Sequence, residues 1–258
     1  MKSYRLILLT AFSGKKKILS DTIKSLINQL DKNDIWIVVL DNQPIEVYDF
    51  LQKKYKQLKF LHHNGKKGAG ICRNKGLDFI INNIKGKFLL LPFDGDDRLT
   101  NKGVKLIKKK MQKSKYKIVS FGHNKIWPDG TKRMISYCGL FDLQALLKNY
   151  ITPCGSTVLK IHNAKILKNF KFGSRFRAND VLFFLQAVNF FNKFECCSEI
   201  LLNYRIKNKN SLSAKKYKMI FYKFMAFKDF GLKNYTSFCY VIRYIIIGLR
   251  RHLLKHPI

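Results

Sequence analysis

Residues 88–97 read FLLLPFDGDD, an apolar run that ends in three carboxylates, Asp94, Asp96 and Asp97, around one glycine. A continuous apolar run of this length is typical of a strand buried on both faces, as in the sheet of an α/β protein. Ligands of such open sheets bind at the carboxyl ends of the strands. The three acidic residues therefore stand where a ligand is expected.

The clustering of these carboxylates needs an explanation, because the chain has 16 acidic residues against 50 basic ones. Carboxylates this close repel one another unless a cation joins them. A hard divalent ion such as Mg²⁺ or Mn²⁺ takes oxygen ligands and leaves positions open for substrate phosphates. A metal-bound diphosphate is one hypothesis. The other is a turn followed by a helix, with Asp97 as its N-cap, and the four residues alone favour neither.

The composition indicates a folded protein. A chain of 258 residues with 47% hydrophobic residues buries a substantial core, either as one α/β domain or as one domain with an appendage. Residues 1–5 lead directly into a strand-like run rather than a signal peptide, so we expect a cytoplasmic protein. The six cysteines lack the paired spacing of zinc ligands and are interpreted as reduced and mostly structural.

The net charge of +34 favours a polyanionic neighbour, which is a nucleic acid, an anionic membrane face or a phosphorylated substrate. The lysines are spread along nearly the whole chain, and no zinc-finger or RNP-type motif accompanies them. No specific nucleic-acid partner is therefore expected. A basic nucleic-acid-binding protein without catalysis remains an alternative.

The first part of the chain alternates strands and helices. Apolar spacing predicts a strand at residues 5–10, a helix at 18–30 and a second strand at 35–40 that ends at Asp41. Short connections of this kind predict a parallel crossover and the start of a nucleotide-binding half. We therefore expect Asp41 and Asp94 at the same edge of the sheet.

The second half is less regular in pattern. A strand is predicted at 118–122 and a strongly apolar helix at 178–192. Asp180 lies in the first turn of that helix, where the helix dipole favours an anion.

The C-terminal segment differs from the rest. Residues 219–230 carry an aromatic stripe between lysines, and residues 238–249 are almost wholly apolar but contain Arg243. This run is shorter than the roughly 20 apolar residues needed to span a bilayer. Contact with an anionic membrane surface is the favoured interpretation, because aromatic residues and cations together suit lipid headgroups. A helical hairpin packed on the core is the alternative.

Four separated motifs, taken in order, resemble those of bacterial family-2 glycosyltransferases of the GT-A fold, of the capsule and lipopolysaccharide type. The motifs occupy residues 38–42, 64–76, 94–97, and 203–205 followed by 210–213. The resemblance covers about residues 5–213. It implies a catalytic domain at 1–213, an α/β fold with a Rossmann-like mixed central sheet flanked by helices, and a basic, aromatic helical tail at 214–258.

The resemblance also implies a nucleotide-sugar site. Asp41 would hydrogen-bond the base, Arg73 would lie near the nucleotide, and Asp94 would approach the ribose. Ala11 and Gly95 would complete the nucleotide-sugar-binding residues. The role of Asp41 is physically reasonable, because a uracil ring offers an imide N–H that a carboxylate accepts.

Metal binding and catalysis are assigned by the same resemblance. Asp96 would hold Mn²⁺ or Mg²⁺, which offsets charge on the departing nucleotide. Asp180 would be the general base that takes the proton of the acceptor hydroxyl. Two departures are visible: Asn179 replaces the Glu that usually precedes the base, and Asn42 replaces a second Asp after the second strand.

The resemblance therefore implies an inverting, metal-assisted glycosyltransferase. It would move one sugar from a nucleotide-sugar donor, UDP-linked, to a growing or lipid-linked glycan such as a lipopolysaccharide or capsule precursor. Its place would be the inner face of the plasma membrane, as a peripheral protein. The competing interpretation within the same fold is a sugar-nucleotide-binding homologue without transfer activity.

Overall fold

A computed structural model describes residues 4–149, 152–175, 178–206 and 216–253. Residues 176–177 and the second part of the last motif, 210–213, lie outside the described residues. The strands are β1 Arg5–Phe12, β2 Ile35–Asp41, β3 Leu58–His63, β4 Phe88–Pro92, β5 Arg98–Leu99, β6 Ile118–Ile126, β7 Lys132–Ile135, β8 Gly139–Asp142, β9 Thr157–Ile161 and β10 Lys193–Arg205. The helices are α1 Lys16–Leu26, α2 Asp49–Lys54, α3 Ala69–Asn83, α4 Gly103–Lys113, α5 Leu143–Lys148, α6 Asn179–Phe191, α7 Lys216–Asp229 and α8 Asn234–Leu253.

Within the described residues the ten strands form one mixed sheet. Eight of them follow the order β3-β2-β1-β4-β9-β6-β10-β5, with β7 beside β6 and β8 beside β10. The first four of this order are parallel, whereas β9 is antiparallel to both β4 and β6. The mixed α/β sheet flanked by helices agrees with the predicted fold class.

The central strand β1 is buried on both faces, and its residues enter two separate cores. Ile7 and Leu9 pack in the layer that contains α3 and α6. Leu6 and Leu8 pack in the layer that contains α1 and α4. Successive side chains of a strand point to opposite faces, so this run of leucines and isoleucines holds both helical layers. Burying one such side chain stabilises the fold by about 1.5–3 kcal/mol.

The register of the parallel strands places the candidate residues at one edge of the sheet. Residue Ala11 of β1 pairs with Val39 of β2, and Leu9 pairs with Pro92 of β4. Asp41 is the last residue of β2, and Asp94 follows β4 after one residue. Both therefore lie at the same carboxyl edge, as the sequence predicts.

The second hypothesis for the acidic run, a turn followed by a helix, is wrong about the helix. Asp97 does not cap a helix from residue 99 onward, because Arg98–Leu99 form the short strand β5, which pairs with β10. Helix α4 begins only at Gly103. The acidic loop is thus held between two strands, β4 and β5.

The helices α7 and α8 pack against each other and against the second half of the domain. Ala226, Phe227 and Val241 are buried in the core layer of α3 and α6. No helix within the described ranges is long and apolar enough to cross a membrane. The division of the chain at residue 213 stays a prediction.

Candidate active site

Asp41 is held by hydrogen bonds at the end of β2. Its carboxylate, 8% exposed, accepts from the backbone N–H of Gly68 at 3.0 Å and from the side-chain amide of Asn42 at 2.9 Å. The Asn42 side chain also donates to the carbonyl of Gly65 and accepts from its N–H. A carboxylate at position 42 could not make these bonds, because it has no proton to donate. The amide of Asn42 therefore holds the loop at Gly65 beside Asp41.

Arg73 joins three elements in the second turn of α3. Its guanidinium, on a residue only 5% exposed, forms an ion pair with Asp94 and donates to the side-chain oxygen of Asn179 at 2.6 Å. Burial alone would lower the pKa of Arg73, but Cys154, Asp94 and Asp180 outweigh burial and raise the pKa above its ordinary value. Arg73 is therefore a fixed positive charge between α3, the end of β4 and the start of α6.

The neighbouring Asn74 fixes the loop that precedes α6. Its amide donates to the carbonyl of Phe172 at 2.9 Å and accepts from the N–H of Phe172 at 2.7 Å. The guanidinium of Arg73 lies 5.3 Å from the centre of the Phe172 ring. A Cβ on Gly70 would lie 1.9 Å from the carbonyl oxygen of Gly173, so only glycine permits this close approach of α3 to the loop.

The start of α6 carries Asn179 and Asp180. Asn179 is 8% exposed, and its carbonyl accepts from the N–H of Gly173 at 2.8 Å. Ala178 precedes the helix with φ 52° and ψ 30°, in the left-handed region. The residue that replaces the usual Glu is thus an interior acceptor for Arg73. A carboxylate in its place would compete with Asp94 for the same cation.

Asp94 lies in a cluster of like charges. Burial raises its pKa, Arg73 lowers it, and repulsion from Asp96 and Asp180 raises it again, so that the net pKa is above the ordinary value. Asp96 and Asp180 are therefore both within electrostatic reach of Asp94. The structure brings Arg73, Asp94, Asp96 and Asp180 together.

Asp97 is the most deeply buried member of the acidic run, at 1% exposure. Burial and repulsion from Asp94 and Asp96 raise its pKa well above the ordinary value. One of its oxygens accepts from the N–H of Arg205 at 3.3 Å, and the other has no hydrogen-bond partner among the described residues. The Arg205 side chain donates to the carbonyl of Asp96 at 2.7 Å, so β10 holds this loop.

Ala11 lies between the two acidic regions, and Gly95 lies within the acidic run itself. Ala11 is half-buried on β1, the strand between β2 and β4. A Cβ on Gly95 would lie 2.7 Å from the ring of Phe12 and 3.2 Å from the methyl group of Thr10. Glycine at this position lets the acidic loop fold back against the end of β1.

Cys154 lies within electrostatic reach of Arg73, Asp94 and Asp180, and its place between Pro153 and Gly155 indicates a loop near the acceptor side. Burial raises the pKa of its thiol well above the ordinary value; Arg73 lowers the pKa, and Asp94 and Asp180 raise it. The N–H of Gly155 donates to the carbonyl of Pro92 at 2.7 Å and holds the loop against the end of β4. The Pro-Cys-Gly sequence predicts a turn, and only the antiparallel insertion of β9 places that turn at the site.

Sequence reasoning also missed a second group of donor atoms. One ligand atom each of Asp41, His63 and Cys72 lies within 4.8 Å of the others, in a possible cation site that is distinct from the acidic run. Burial, and after it the charge of Asp41, raises the pKa of the Cys72 thiol to about 12. Metal ligation needs a thiolate, so this group is a poorer match to Mg²⁺ or Mn²⁺ than the oxygen-rich acidic run.

Comparison with known proteins identifies the family. The sequence model of Glycosyl transferase family 2 matches residues 7–197. The chain belongs to glycosyl transferase family 2. An uncharacterized glycosyltransferase of Methanocaldococcus jannaschii is 25% identical over 245 residues, which cover 90% of this chain and 81% of that protein. The chain is accordingly a glycosyltransferase.

Solved structures show the same fold. This family-2 glycosyltransferase is similar to the S. aureus TarS fragment 1–349 in complex with UDP-GlcNAc, with a TM-score of 0.68, 14% identity and coverage of 93% of this chain and 71% of that one. The same fragment in complex with UDP gives a TM-score of 0.65 at 15% identity, covering 96% and 71%. The predicted GT-A-like fold is confirmed.

Proposed function

We propose that this glycosyltransferase transfers one sugar from a UDP-sugar donor to an acceptor hydroxyl with inversion at the anomeric carbon. The observation that carries the proposal is the convergence of Arg73, Asp94, Asp96 and Asp180 at the carboxyl edge of the parallel strands. The binding of UDP and UDP-GlcNAc by TarS, a protein of the same fold, supports a uridine nucleotide as the donor.

Asp41 is the proposed acceptor for the imide N–H of uracil. Its two oxygens already accept from Gly68 and Asn42, and a carboxylate has about four lone-pair sites, so acceptor capacity is left. Asp94, which is paired with Arg73, is the proposed contact to the ribose. Ala11, on the strand between β2 and β4, and Gly95 are the other proposed donor-binding residues.

Asp96 is the proposed ligand of Mg²⁺ or Mn²⁺. The residues present fit a hard cation: the pKa values of Asp94 and Asp97 are raised by burial and mutual repulsion, and one buried Asp97 oxygen has no partner among the described residues. Arg73 and Arg205 supply two positive charges against the four carboxylates of Asp94, Asp96, Asp97 and Asp180. When bound, the cation would offset the negative charge of the departing nucleoside diphosphate.

Asp180 is the proposed general base. It takes the proton of the acceptor hydroxyl while that oxygen bonds to the anomeric carbon of the donor sugar. The bond from the anomeric carbon to the diphosphate breaks on the opposite face, and its electron pair leaves with UDP. Asn179 keeps Arg73 in place without adding a further charge.

The acceptor is proposed to be a growing surface glycan, such as a lipopolysaccharide or capsule precursor, presented at the inner membrane face. A cavity of about 680 Å³ opens beside the site, between α3, the loop before α6 and α7. Its lining includes Lys66, Lys67 and Lys171, together with Arg175, which is paired with Asp229. This excess of positive charge favours an acceptor that carries anionic groups such as phosphates.

Turnover of a panel of UDP-sugars, with NMR assignment of the product anomer, tests the proposal. Asp96→Ala should abolish metal-dependent UDP-sugar hydrolysis, and Asp180→Asn should lower transfer by at least about a hundredfold while donor binding is kept. The matched control is Asp78→Asn, which changes an exposed carboxylate on α3 and should leave turnover unchanged.

Three results would contradict the proposal. Unchanged hydrolysis in Asp96→Ala would remove the metal assignment, and a product with retained anomeric configuration would exclude the single displacement. Donor binding without turnover of any sugar, in the presence of acceptor extracts, would favour the non-catalytic homologue instead.

A further inference from the structure

The outward face of α8 is apolar and exposed. Tyr235, Phe238, Ile242 and Ile246, here called the α8 stripe, are spaced three, four and four residues apart, which places them on one side of a helix. Their exposed fractions are 80%, 56%, 40% and 45%. Large hydrophobic residues exposed side by side along a helix are the mark of an interaction surface rather than of scattered surface residues.

The opposite face of α8 already has partners. Ser237 and Val241 are buried, and Tyr240 donates a hydrogen bond to the side chain of Gln144 in α5 at 2.7 Å. Phe227 of α7 contacts the Tyr240 ring, with centroids 6.1 Å apart. The helix is thus fixed to the domain on one side, and the stripe is left facing outward.

The charge of the two C-terminal helices complements an anionic surface. Residues 216–253 contain five lysines and three arginines against a single acid, Asp229. Arg175 pairs with Asp229 through two hydrogen bonds of 3.0 Å, so the only acid there is already neutralised. Lys218 of α7, Lys233 of the connection between the helices and Arg243 of α8 are exposed.

We propose that the α8 stripe docks on an anionic lipid bilayer and that α8 lies in the plane of its interface. This inference deepens the proposed function, since it names the surface that meets the membrane holding the acceptor. Aromatic and aliphatic side chains enter the boundary between headgroups and acyl chains, while the flanking cations contact the headgroups. Arg243, halfway along the helix, fits a helix that lies on a bilayer.

A nucleic acid explains these observations less well. Its phosphates would engage the cations but would leave Phe238 and Ile242 exposed to water. A second copy of this chain would cover the apolar stripe but would bring two strongly basic surfaces together. The bilayer satisfies both features at once.

Docking through α8 would also orient the catalytic site. Asp229 ends α7, and its partner Arg175 lies five residues before Asp180. The helix pair is thereby tied to the loop that leads to the proposed base. A bilayer under α8 would keep this loop close to an acceptor anchored in the same bilayer.

Flotation with lipid vesicles tests the proposal. The full chain should bind vesicles of phosphatidylcholine with phosphatidylglycerol and bind pure phosphatidylcholine weakly. The double variant Phe238→Asp with Ile242→Asp should lose at least about tenfold in affinity for the anionic vesicles. Arg243→Glu should weaken binding less, by a few-fold.

The matched control is Leu140→Asp with Met134→Asp, which places the same two charges on apolar residues of β8 and β7 that are 50% and 63% exposed. Its vesicle binding should equal that of the wild type. All substituted residues are exposed, so each variant should keep the fold. Thermal unfolding of each variant checks this expectation. UDP-sugar hydrolysis without vesicles separates this proposal from the transfer reaction, because the α8 variants should hydrolyse donor normally.

Two outcomes would overturn the proposal. Equal vesicle binding by the α8 double variant and by the control with Leu140→Asp and Met134→Asp would show that charge alone holds the protein and that the stripe is not used. The second outcome is that the wild type does not bind vesicles and sediments as a dimer, whereas the α8 double variant sediments as a monomer. That result would assign the stripe to a second copy of the chain.

Discussion

The two carboxylate regions at the edge of the sheet differ in how their negative charge is held. Asp41 is satisfied by neighbouring donors, the N–H of Gly68 and the amide of Asn42. Asp94 lies with Asp96 and Asp180, which raise its pKa, and it has one cation beside it, Arg73. The first region is a preformed hydrogen-bonding site, and the second is a site with excess negative charge.

This difference fits the two tasks that the proposed function assigns to these regions. Recognition of a nucleotide base needs a fixed acceptor whose geometry does not change when the ligand binds. In a site for a metal and a diphosphate, neighbouring carboxylates repel one another until a cation binds. The removal of this repulsion favours binding of the cation. The fold accordingly places neutral donors at the end of β2 and repelling carboxylates after β4.

The largest effect is expected from removing the cation of the second region. Arg73→Met leaves Asp94 with its repelling neighbours and no counter-charge, and it removes the donor to Asn179. Removing one partner of a buried ion pair lowers the free energy of unfolding. We expect a loss of about 3 kcal/mol, at the lower end of the usual range, because the Asp94 side chain is 33% exposed. Urea unfolding measures this loss, and turnover should fall below detection.

Lys75→Met is the control for this change. It removes an exposed cation of the same helix, whose ammonium group donates to the carbonyl of His62. Its free energy of unfolding should stay within about 0.5 kcal/mol of the wild type. If the two variants were equally stable, the comparison between the regions would fail, because Asp94 would not depend on Arg73.

The sequence predicted the parallel half of the fold well, because each signal there is local. The leucines and isoleucines of β1 are buried on both faces, and the carboxylates that end β2 and follow β4 mark the carboxyl edge. Short connections leave few topologies for such a chain. Asp41 and Asp94 were therefore placed together from pattern alone.

The second half was harder to predict, because its contacts join residues far apart in the chain. Strand β10 pairs with β6, β5 and β8 and has register shifts near Ile200, which no period-two pattern shows. Cys154 reaches the site only because β9 inserts antiparallel between β4 and β6. The role of Asn179 depends on Arg73, more than a hundred residues earlier.

A smaller effect, on donor binding, is expected in the first region. Asp41→Asn keeps the shape of the side chain but replaces one acceptor oxygen with a donor, which opposes the imide N–H of uracil. UDP affinity, measured by calorimetry, should fall about tenfold, or about 1.4 kcal/mol. The preference for UDP over CDP should narrow as well, because cytosine lacks that N–H.

Asp49→Asn, which neutralises an exposed carboxylate of α2, is the control for charge alone. Unchanged UDP affinity and unchanged discrimination against CDP in Asp41→Asn would show that the end of β2 does not read the base. The first region would then be a structural hydrogen-bonding centre.

The smallest effect is expected from pH and divalent cations. The raised pKa values of Asp94 and Asp97 mean that the folded state binds their protons more tightly than the unfolded state does. Stability therefore decreases as the pH rises above their ordinary pKa of about 4, where the unfolded chain ionises first. A divalent cation reverses this loss only while the carboxylates are ionised.

Mn²⁺ or Mg²⁺ should consequently raise the melting temperature by about 2–4 °C at neutral pH, equivalent to about 1 kcal/mol, and should have no effect near pH 4. Scanning fluorimetry with the metal, with EDTA and with KCl of equal ionic strength separates binding from screening. Asp96→Ala should melt higher than the wild type in EDTA, because one repelling charge is gone, and should gain less from the metal. An equal rise in melting temperature with metal in both proteins would show that the cation does not bind at the acidic run. The next residues to substitute would then be Asp41, His63 and Cys72.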